Sequence, residues 1–504
     1  MQQGTASRWT RRELLRDSAA LSGGALLSSL APACGTRRAA APLNLLLLVI
    51  EDWNAGVVGC YGNPLVRTPE VDAFARSGVR FSRAYCQSPV CNASRASFLT
   101  GLRPDSTRVL DNDDPMDALL PAGTLSLPEL WSGSGRHAVN IGKLFHSARH
   151  AGSQLGAFAR IELGQRPERS AEAGGGPQAP EAEKRARSRS RRPEGGRSRR
   201  AERFGDSGRS EEEELDGRRA RLAARLLAEL AGGPEPFLLC VGFSRPHVPL
   251  LAPRRFVELY EPDAIPAPRP DRGELLWIPE VALRWGRNHE LFPKGEPSDE
   301  LARAAIAAYY ACVSFVDAQV GIVLDALEAV GLAERTAVVL LADHGFHLGE
   351  HGLWSKLTLF EPATRVPLIV RVPGAAGNGR VCEEIVELVD LLPSIAEIAG
   401  LEAPTGVEGT SFAPLLDAPG RAWKQAAFSL CSRGEHEWLG RSIRTRRYRY
   451  SEWRRGEVLQ AELYDLERDP LESVNRAADP LAGEVRAELA RRLWAGWRAE
   501  RPLG

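Results

Sequence analysis

The stretch VCNASRASFLTG, residues 90–101, sets Cys91 and Arg95 four residues apart, so on a helical turn they share one face. By itself the pair reads equally well as a small buried thiol at a helix start whose arginine makes a surface ion pair, since free cysteines often serve as core residues. Three other places carry chemistry. The apolar runs LNLLLLVIED (43–52), PFLLCVGFSRPH (236–247) and TAVVLLADHG (336–345) end in Glu51-Asp52, His247 and Asp343-His344. An acidic residue after a strand is commonly no more than a helix N-cap. Three carboxylates gathered at neighbouring strand ends, however, repel one another unless a cation sits among them. Oxygen-rich ligation of that kind suits a hard ion, Ca2+ or Mg2+, and His344 keeps Mn2+ open.

These ends meet only if the elements behind them lie side by side. The three runs are continuously apolar, as strands buried on both faces are, and VPLIVRVPG (366–374) is a fourth. Helical stretches lie between them, at 218–232 and most clearly at 301–330. The alternation predicts an α/β fold with a mainly parallel central sheet between helices. In such sheets ligands gather beyond the carboxyl ends of the strands. The tail, residues 420–504, changes style. RSIRTRRYRYSEW (441–453) alternates aromatic and charged residues like antiparallel strands, ELYDLERDP (462–470) reads as strand then turn, and 482–500 reads as an amphipathic closing helix. This predicts a small C-terminal α+β subdomain with an antiparallel sheet, beside a main domain of residues 42–419. Residues 165–216 run from Arg/Ser-rich to acidic and bury little apolar surface, so they read as a disordered charged insertion. Its basic part is either a solvated surface or an arm that attracts polyanions.

The 504 residues allow one large domain and a smaller one, and Lys+Arg and Asp+Glu both number 65. That balance gives no argument for nucleic acid or an anionic membrane as a partner. None of the eight cysteines forms a CxxC pair, so zinc-ribbon and thioredoxin readings have no support. At the N-terminus, TRRELLR (10–16) leads into a moderately apolar run, Ala19 to Leu30, and then Ala31-Pro32-Ala33. This resembles a twin-arginine export signal with an A-x-A cleavage pattern over residues 1–33. Cys34 stands next as an alternative lipidation site. No later apolar run reaches the roughly 20 residues needed to span a bilayer, so no transmembrane helix is expected in the mature chain. The expectation is an exported protein, periplasmic or at the cell surface.

The motif CNASR with LTG, at 91–101, resembles the signature of the type I sulfatases, a formylglycine-dependent family of the alkaline phosphatase superfamily. Further segments carry the likeness: 59–109, IGKLFH (141–146), GFSRPHVPL (242–250), ADHGFHLGEHGLWSKLTLFEPATRVPLIV (342–370), and SIRTRRYRY (442–450) with ELYDLERDP. Within the family the resemblance runs to the iduronate-2-sulfatase group. It implies an alkaline-phosphatase-like sandwich and a sulfuric ester hydrolase acting on a sulfated saccharide. It also implies that a separate maturase oxidises Cys91 to formylglycine. The hydrate of that aldehyde has two hydroxyls. One attacks the sulfate ester and expels the alcohol; the other loses its proton and collapses the adduct to aldehyde and sulfate.

The resemblance assigns the remaining roles residue by residue. Glu51, Asp52, Asp343 and His344, with the modified Cys91, match the metal ligands, with Ca2+ ahead of Mg2+ or Mn2+. Lys143 and Lys356 match the lysines that hold the sulfate, and Arg95 matches the residue that holds the hydrate oxygen. His146 matches a base for the collapse, and His247 matches an acid for the leaving alcohol. Glu51 departs from the family, which mostly has Asp there. Arg-rich segments near 284–287 and 441–449 could bind sugar carboxylates or be surface charge. Two alternatives stand beside this reading. One is a phosphomonoester or phosphonate hydrolase of the same superfamily; the other is a non-catalytic glycan-binding homologue with Cys91 unmodified.

Overall fold

The run Asn44–Ile50 forms strand β1, buried at every position, which requires cover on both faces of the sheet. The structure is a computed structural model that describes residues 42–162, 204–268, 277–283, 291–292 and 296–502. The expected export signal, Cys34, residues 165–203 of the charged insertion and Arg284–Arg287 lie outside the described residues. The other strands, in chain order, are β2 (Val79–Tyr85), β3 (His137–Gly142), β4 (Arg160–Glu162), β5 (Phe204–Asp206), β6 (Phe237–Phe243) and β7 (Leu250–Ala252). They continue with β8 (Thr336–Ala342), β9 (Arg365–Arg371), β10 (Val381–Glu387), β11 (Ala426–Arg433), β12 (Trp438–Thr445), β13 (Tyr448–Arg455) and β14 (Val458–Asp465). The longer helices are α1 (Pro69–Ser77), α2 (Cys91–Thr100), α3 (Leu215–Ala231), α4 (Asp299–Ala329), α5 (Leu391–Ile398) and α6 (Gly483–Ala495).

The central sheet runs β10-β2-β9-β8-β1-β6-β3-β4. The expected mainly parallel arrangement is present, with one departure: β9, the fourth apolar run, is antiparallel to β8 and to β2. The chain leaves β8 at its carboxyl end and re-enters the sheet from that same edge after the loop 343–364, so β9 has to run backwards. Two reversals restore the direction of β2 to that of β8. The carboxyl ends of β1, β2, β3, β6 and β8 therefore share one edge.

Helix α4 starts on Ser298, whose side chain accepts from the Leu301 N–H, and its Ala- and Val-rich surface is buried over most of its length. By length and composition it passes for a membrane span, which the count of unbroken apolar residues did not register. In this fold 89% of its most apolar window is buried, as in a core helix. The expectation of disorder over 165–216 fails for the part that is described. Strand β5 pairs in parallel with β7, and the acidic run finds arginines: Glu211 with Arg255 and Glu212 with Arg221. Glu214 and Asp216 then stand at the start of α3, where the helix dipole favours carboxylates. The seven described cysteines are all free.

The C-terminal sheet, β11-β12-β13-β14, is antiparallel, and α6 packs on it as the alternation in the tail suggested. A buried ion network ties it to the central sheet. Glu387, ending β10, accepts both arms of Arg103 at 2.8 and 2.6 Å, Lys424 Nζ at 2.8 Å and the Phe428 N–H at 2.9 Å. Burial pushes the Glu387 carboxyl up, but Arg103 and Lys424 outweigh it and hold the group at about 2. Glu387→Gln leaves two buried cations short of a partner and is expected to lower stability by about 3–5 kcal/mol, read by urea unfolding. An unfolded glutamate titrates near 4.5. The contribution of this depressed carboxyl is thus complete above that pH and drains away as the pH falls toward 2. The stability gap between wild type and variant should accordingly shrink between pH 6 and pH 3, measured in paired melts.

Candidate active site

Adjacent strands carry the site. Ile50 pairs with Ala342 on β8 and with Phe243 on β6, so Glu51-Asp52 and Asp343-His344 leave the sheet side by side. On the next strand Gly142 pairs with Gly242, and Lys143 follows at the same edge. His247 lies four residues past the end of β6, half-buried. Helix α2 begins on Cys91 itself and ends at Gly101, whose φ of 69° is the left-handed turn a glycine takes readily. All ten of its residues are buried. Cys91 thus stands at the positive end of a buried helix dipole, a position that favours negative charge.

Within the site the Cys91 Sγ lies 3.5 Å from Glu51 Oε1 and 3.2 Å from His344 Nε2. Arg95, one turn on and fully buried, donates from Nε to Asp343 Oδ2 at 3.0 Å. Its other arm donates to the carbonyls of Lys143 and Leu144 at 2.7 and 2.8 Å, so one guanidinium fixes both the β8 and β3 strand ends. Lys143 pairs with Glu51, and Lys356 Nζ sits 3.0 Å from Asp52 Oδ1. Three carboxylates therefore face three cations around one sulfur atom.

The electrostatics follow from that balance. Burial pushes Glu51 up, but Lys143, His247, Arg95 and Lys356 together hold it well below the usual carboxylate range. Burial likewise raises Asp343, and His344 and Arg95 bring it below its ordinary value. Burial pulls the His344 imidazole down, yet Asp343, Cys91 and Asp52 hold it at about 9. Two overlapping groups, Asp52-Cys91-His344 and Glu51-Cys91-Asp343, each bring their donor atoms within 4.8 Å of one another, all buried. Three carboxylates converging in this way fit a hard divalent cation, which would displace the proton that they hold on the His344 imidazole.

Cys91, Arg95, Glu51, Asp52, Asp343, His344, Lys143 and Lys356 are thus in one contact network, and His247 reaches it through its field on Glu51. The His247 ring turns Nδ1 toward the Val248 carbonyl at 3.0 Å. His146 is half-buried on the loop that Arg95 anchors, three residues past Lys143. The arginines of 441–449 are a correction. Arg444 and Arg449 are buried against Glu361, and Arg449 also meets Glu472. Arg441, Arg446 and Arg447 pair with Asp105, Glu384 and Asp465. These cations hold the C-terminal sheet in place; their counter-charges come from within the chain.

Several supporting residues went unremarked in the sequence. Tyr309 on α4 donates its hydroxyl to the carbonyl of Asp52, whose φ of 60° is unusual for a residue with a side chain. An aromatic pair inside an apolar helix gave no sign of this. Asp216 accepts from the Ser244 and Arg245 amides, and Arg245 donates to the carbonyls of His247 and Pro249, which together shape the His247 loop. Gly142 and Gly242 did leave a signal, a glycine at the last position of β3 and the last but one of β6.

Fold and site define an alkaline-phosphatase-like α/β hydrolase with a buried, carboxylate-rich centre. The profile of the family described as Sulfatase matches residues 43–401, and one described as N-sulphoglucosamine sulphohydrolase, C-terminal, matches 349–498. Iduronate 2-sulfatase of Mus musculus is 30% identical, over 86% of this chain and 90% of that protein. Delta 4,5-hexuronate-2-O-sulfatase of Bacteroides thetaiotaomicron is 28% identical, over 88% and 86%. Among solved structures, a 2-O GAG sulfatase superposes with a TM-score of 0.68 at 26% identity, over 89% of this chain and 90% of the other. The phosphonate monoester hydrolase of Agrobacterium radiobacter shares the fold, with a TM-score of 0.74 at 24% identity over 91% and 95%. The chain belongs to the sulfatase family and is a sulfuric ester hydrolase.

The pairing of Gly142 and Gly242 carries a prediction. A Cβ at residue 242 would lie 2.1 Å from the Lys143 carbonyl oxygen, with φ +78° at Gly142 completing the turn. Gly242→Ala must push Lys143 away. It is expected to lower kcat/KM on an aryl sulfate by on the order of 10²-fold, the scale of a misplacement of about 1 Å.

Proposed function

We propose that this enzyme removes a sulfate ester from a sulfated glycan, a uronic acid 2-sulfate in particular, using Cys91 matured to formylglycine and a bound Ca2+. The observation that carries the reading is the Cys91 Sγ, set between Glu51 Oε1 and His344 Nε2 at the start of a wholly buried helix. Oxidised by a maturase that supplies the oxidant, residue 91 would offer a hydrated aldehyde, whose one hydroxyl displaces the alcohol from sulfur and whose other releases sulfate by collapse. A cation held by Glu51, Asp52, Asp343 and His344 would lower the pKa of the attacking hydroxyl and neutralise sulfate oxygens. Glu51 is one methylene longer than aspartate, which the adaptable coordination of calcium accommodates.

The side chains of this protein do the rest. Lys143 and Lys356 turn from Glu51 and Asp52 to the sulfate, placing fixed positive charge where negative charge develops. His247 gives the departing alcohol oxygen its proton, and His146 accepts the proton of the second hydroxyl. Arg95 keeps Asp343 and the Lys143 backbone in register with residue 91. The names of the relatives, an iduronate 2-sulfatase and a hexuronate-2-O-sulfatase, support the uronic acid 2-sulfate.

Cys91 is 1% exposed, so a maturase must reach it before the chain folds. With a twin-arginine signal, which exports folded cargo to the periplasm or cell surface, oxidation then precedes export. Paired kinetics on aryl sulfate and aryl phosphate, followed by a panel of defined sulfated disaccharides, test the function. Sulfate preference with release from 2-O-sulfated uronides is expected; phosphate preference would place the enzyme with the phosphonate and phosphomonoester hydrolases.

A further inference from the structure

Arg433 ends β11, well outside the sequence motifs of the site, yet it reaches the lysine loop. It is 4% exposed, and among the described residues no carboxylate pairs with it. Its donors go to neutral acceptors: the carbonyl of Leu357, the carbonyls of Val281 and Ser432 at 3.4 Å, and Cys431 Sγ at 3.0 Å. Its guanidinium also lies 5.0 Å from the centre of the Trp453 ring. Burial accordingly pulls it below the ordinary arginine value. Glu462 and Asp111 act on it only from beyond pairing distance. A buried charge held mainly by neutral acceptors is unfavourable, so its placement needs a reason beyond packing.

Leu357 supplies one. It follows Lys356 directly and has φ 67°, a left-handed conformation uncommon for a leucine. Both of its peptide groups are held. Its amide donates to the Pro89 carbonyl at 3.2 Å, two residues before Cys91, and its carbonyl accepts from Arg433 and from Cys431 Sγ at 3.5 Å. Lys356 leaves this turn to reach Asp52 at 3.0 Å. The turn thus spans from the C-terminal sheet to the start of α2, and Arg433 is its far anchor.

We propose that Arg433 is a positioning residue for Lys356: by holding the Leu357 carbonyl it fixes the left-handed turn that aims the lysine at the sulfate. The inference rests on the sulfate-holding role of Lys356. Its test is a double-variant cycle on an aryl sulfate with Arg433→Gln, Lys356→Ala and both, each normalised to folded protein by thermal melt.

Lys356→Ala alone is expected to lower kcat by about 10²–10³-fold, the scale of a lost transition-state contact. Arg433→Gln is expected to lower kcat by on the order of 10²-fold, and to cost the Lys356→Ala background less than about 3-fold more, since the two act as one unit. Losses that multiply, or an Arg433→Gln enzyme within about 3-fold of wild type, would overturn the proposal. A fully active Lys356→Ala enzyme would overturn the role of the lysine itself, a separate and distinguishable failure. Should Arg433→Gln not fold, Arg433→Lys, which keeps the charge on a flexible stem but loses the planar guanidinium fork, enters the same cycle under the same criteria.

Discussion

Cys91→Ala is expected to lower sulfate-ester hydrolysis by roughly six orders of magnitude, the scale seen when a covalent nucleophile is removed. The fold should hardly notice. The side chain is small, and alanine loses one sulfur atom from a helix whose other residues stay packed, so the change in stability should be about 1 kcal/mol. Arg95 keeps Asp343, and Lys356 keeps Asp52, without any contribution from the sulfur. Lys143, Lys356 and the helix dipole remain, so binding of inorganic sulfate should persist while turnover disappears. Activity assay, thermal melt and sulfate titration on one preparation check all three. Substantial turnover by the alanine variant would mean that some other group attacks sulfur.

Asp343→Ala is expected to fail in a second, different way. Asp343 accepts from Arg95 at 3.0 Å and from the Asp52 and His344 amides at 3.1 and 2.9 Å. Removing it strands a fully buried guanidinium and two buried amide donors. The expected loss of stability is about 3–5 kcal/mol, against about 1 for the cysteine variant. It also removes one of the three carboxylates of the candidate cation site, so activity should fall by about 10³-fold or more. Added Ca2+ should raise the melting temperature of the wild type, because a ligand that binds only the folded state stabilises it, and should raise that of the variant little. A variant that melts like wild type would contradict the role assigned to the Arg95–Asp343 pair.

Much of this is legible in the sequence. Continuous apolar runs mark buried parallel strands, so β1, β6 and β8 and the carboxylates at their ends could be read directly. What joined Cys91 to them was the resemblance; spacing alone left it an ordinary buried thiol. Direction of pairing was beyond reach, because an apolar run reads alike in either sense, and β9 turned out antiparallel. The acidic run at 211–215 looked solvated because its partners, Arg221 and Arg255, are remote in the chain or in a following helix. For the same reason the arginines of 441–449 looked free. Only the folded chain brings Glu361 and Glu472 beneath Arg449. The supports of the site, Tyr309, Asp216 and Arg433, act through backbone carbonyls and amides, and such contacts leave no residue pattern to find.

The central claim is that residue 91 works as an aldehyde. Mass spectrometry of the tryptic peptide containing it, on preparations co-expressed with graded amounts of maturase, tests this most directly. The matured peptide should be lighter than the thiol form by the difference between hydrogen sulfide and an oxygen atom, in a fraction that rises in proportion to specific activity. Full activity in a preparation whose residue 91 is entirely thiol would contradict it.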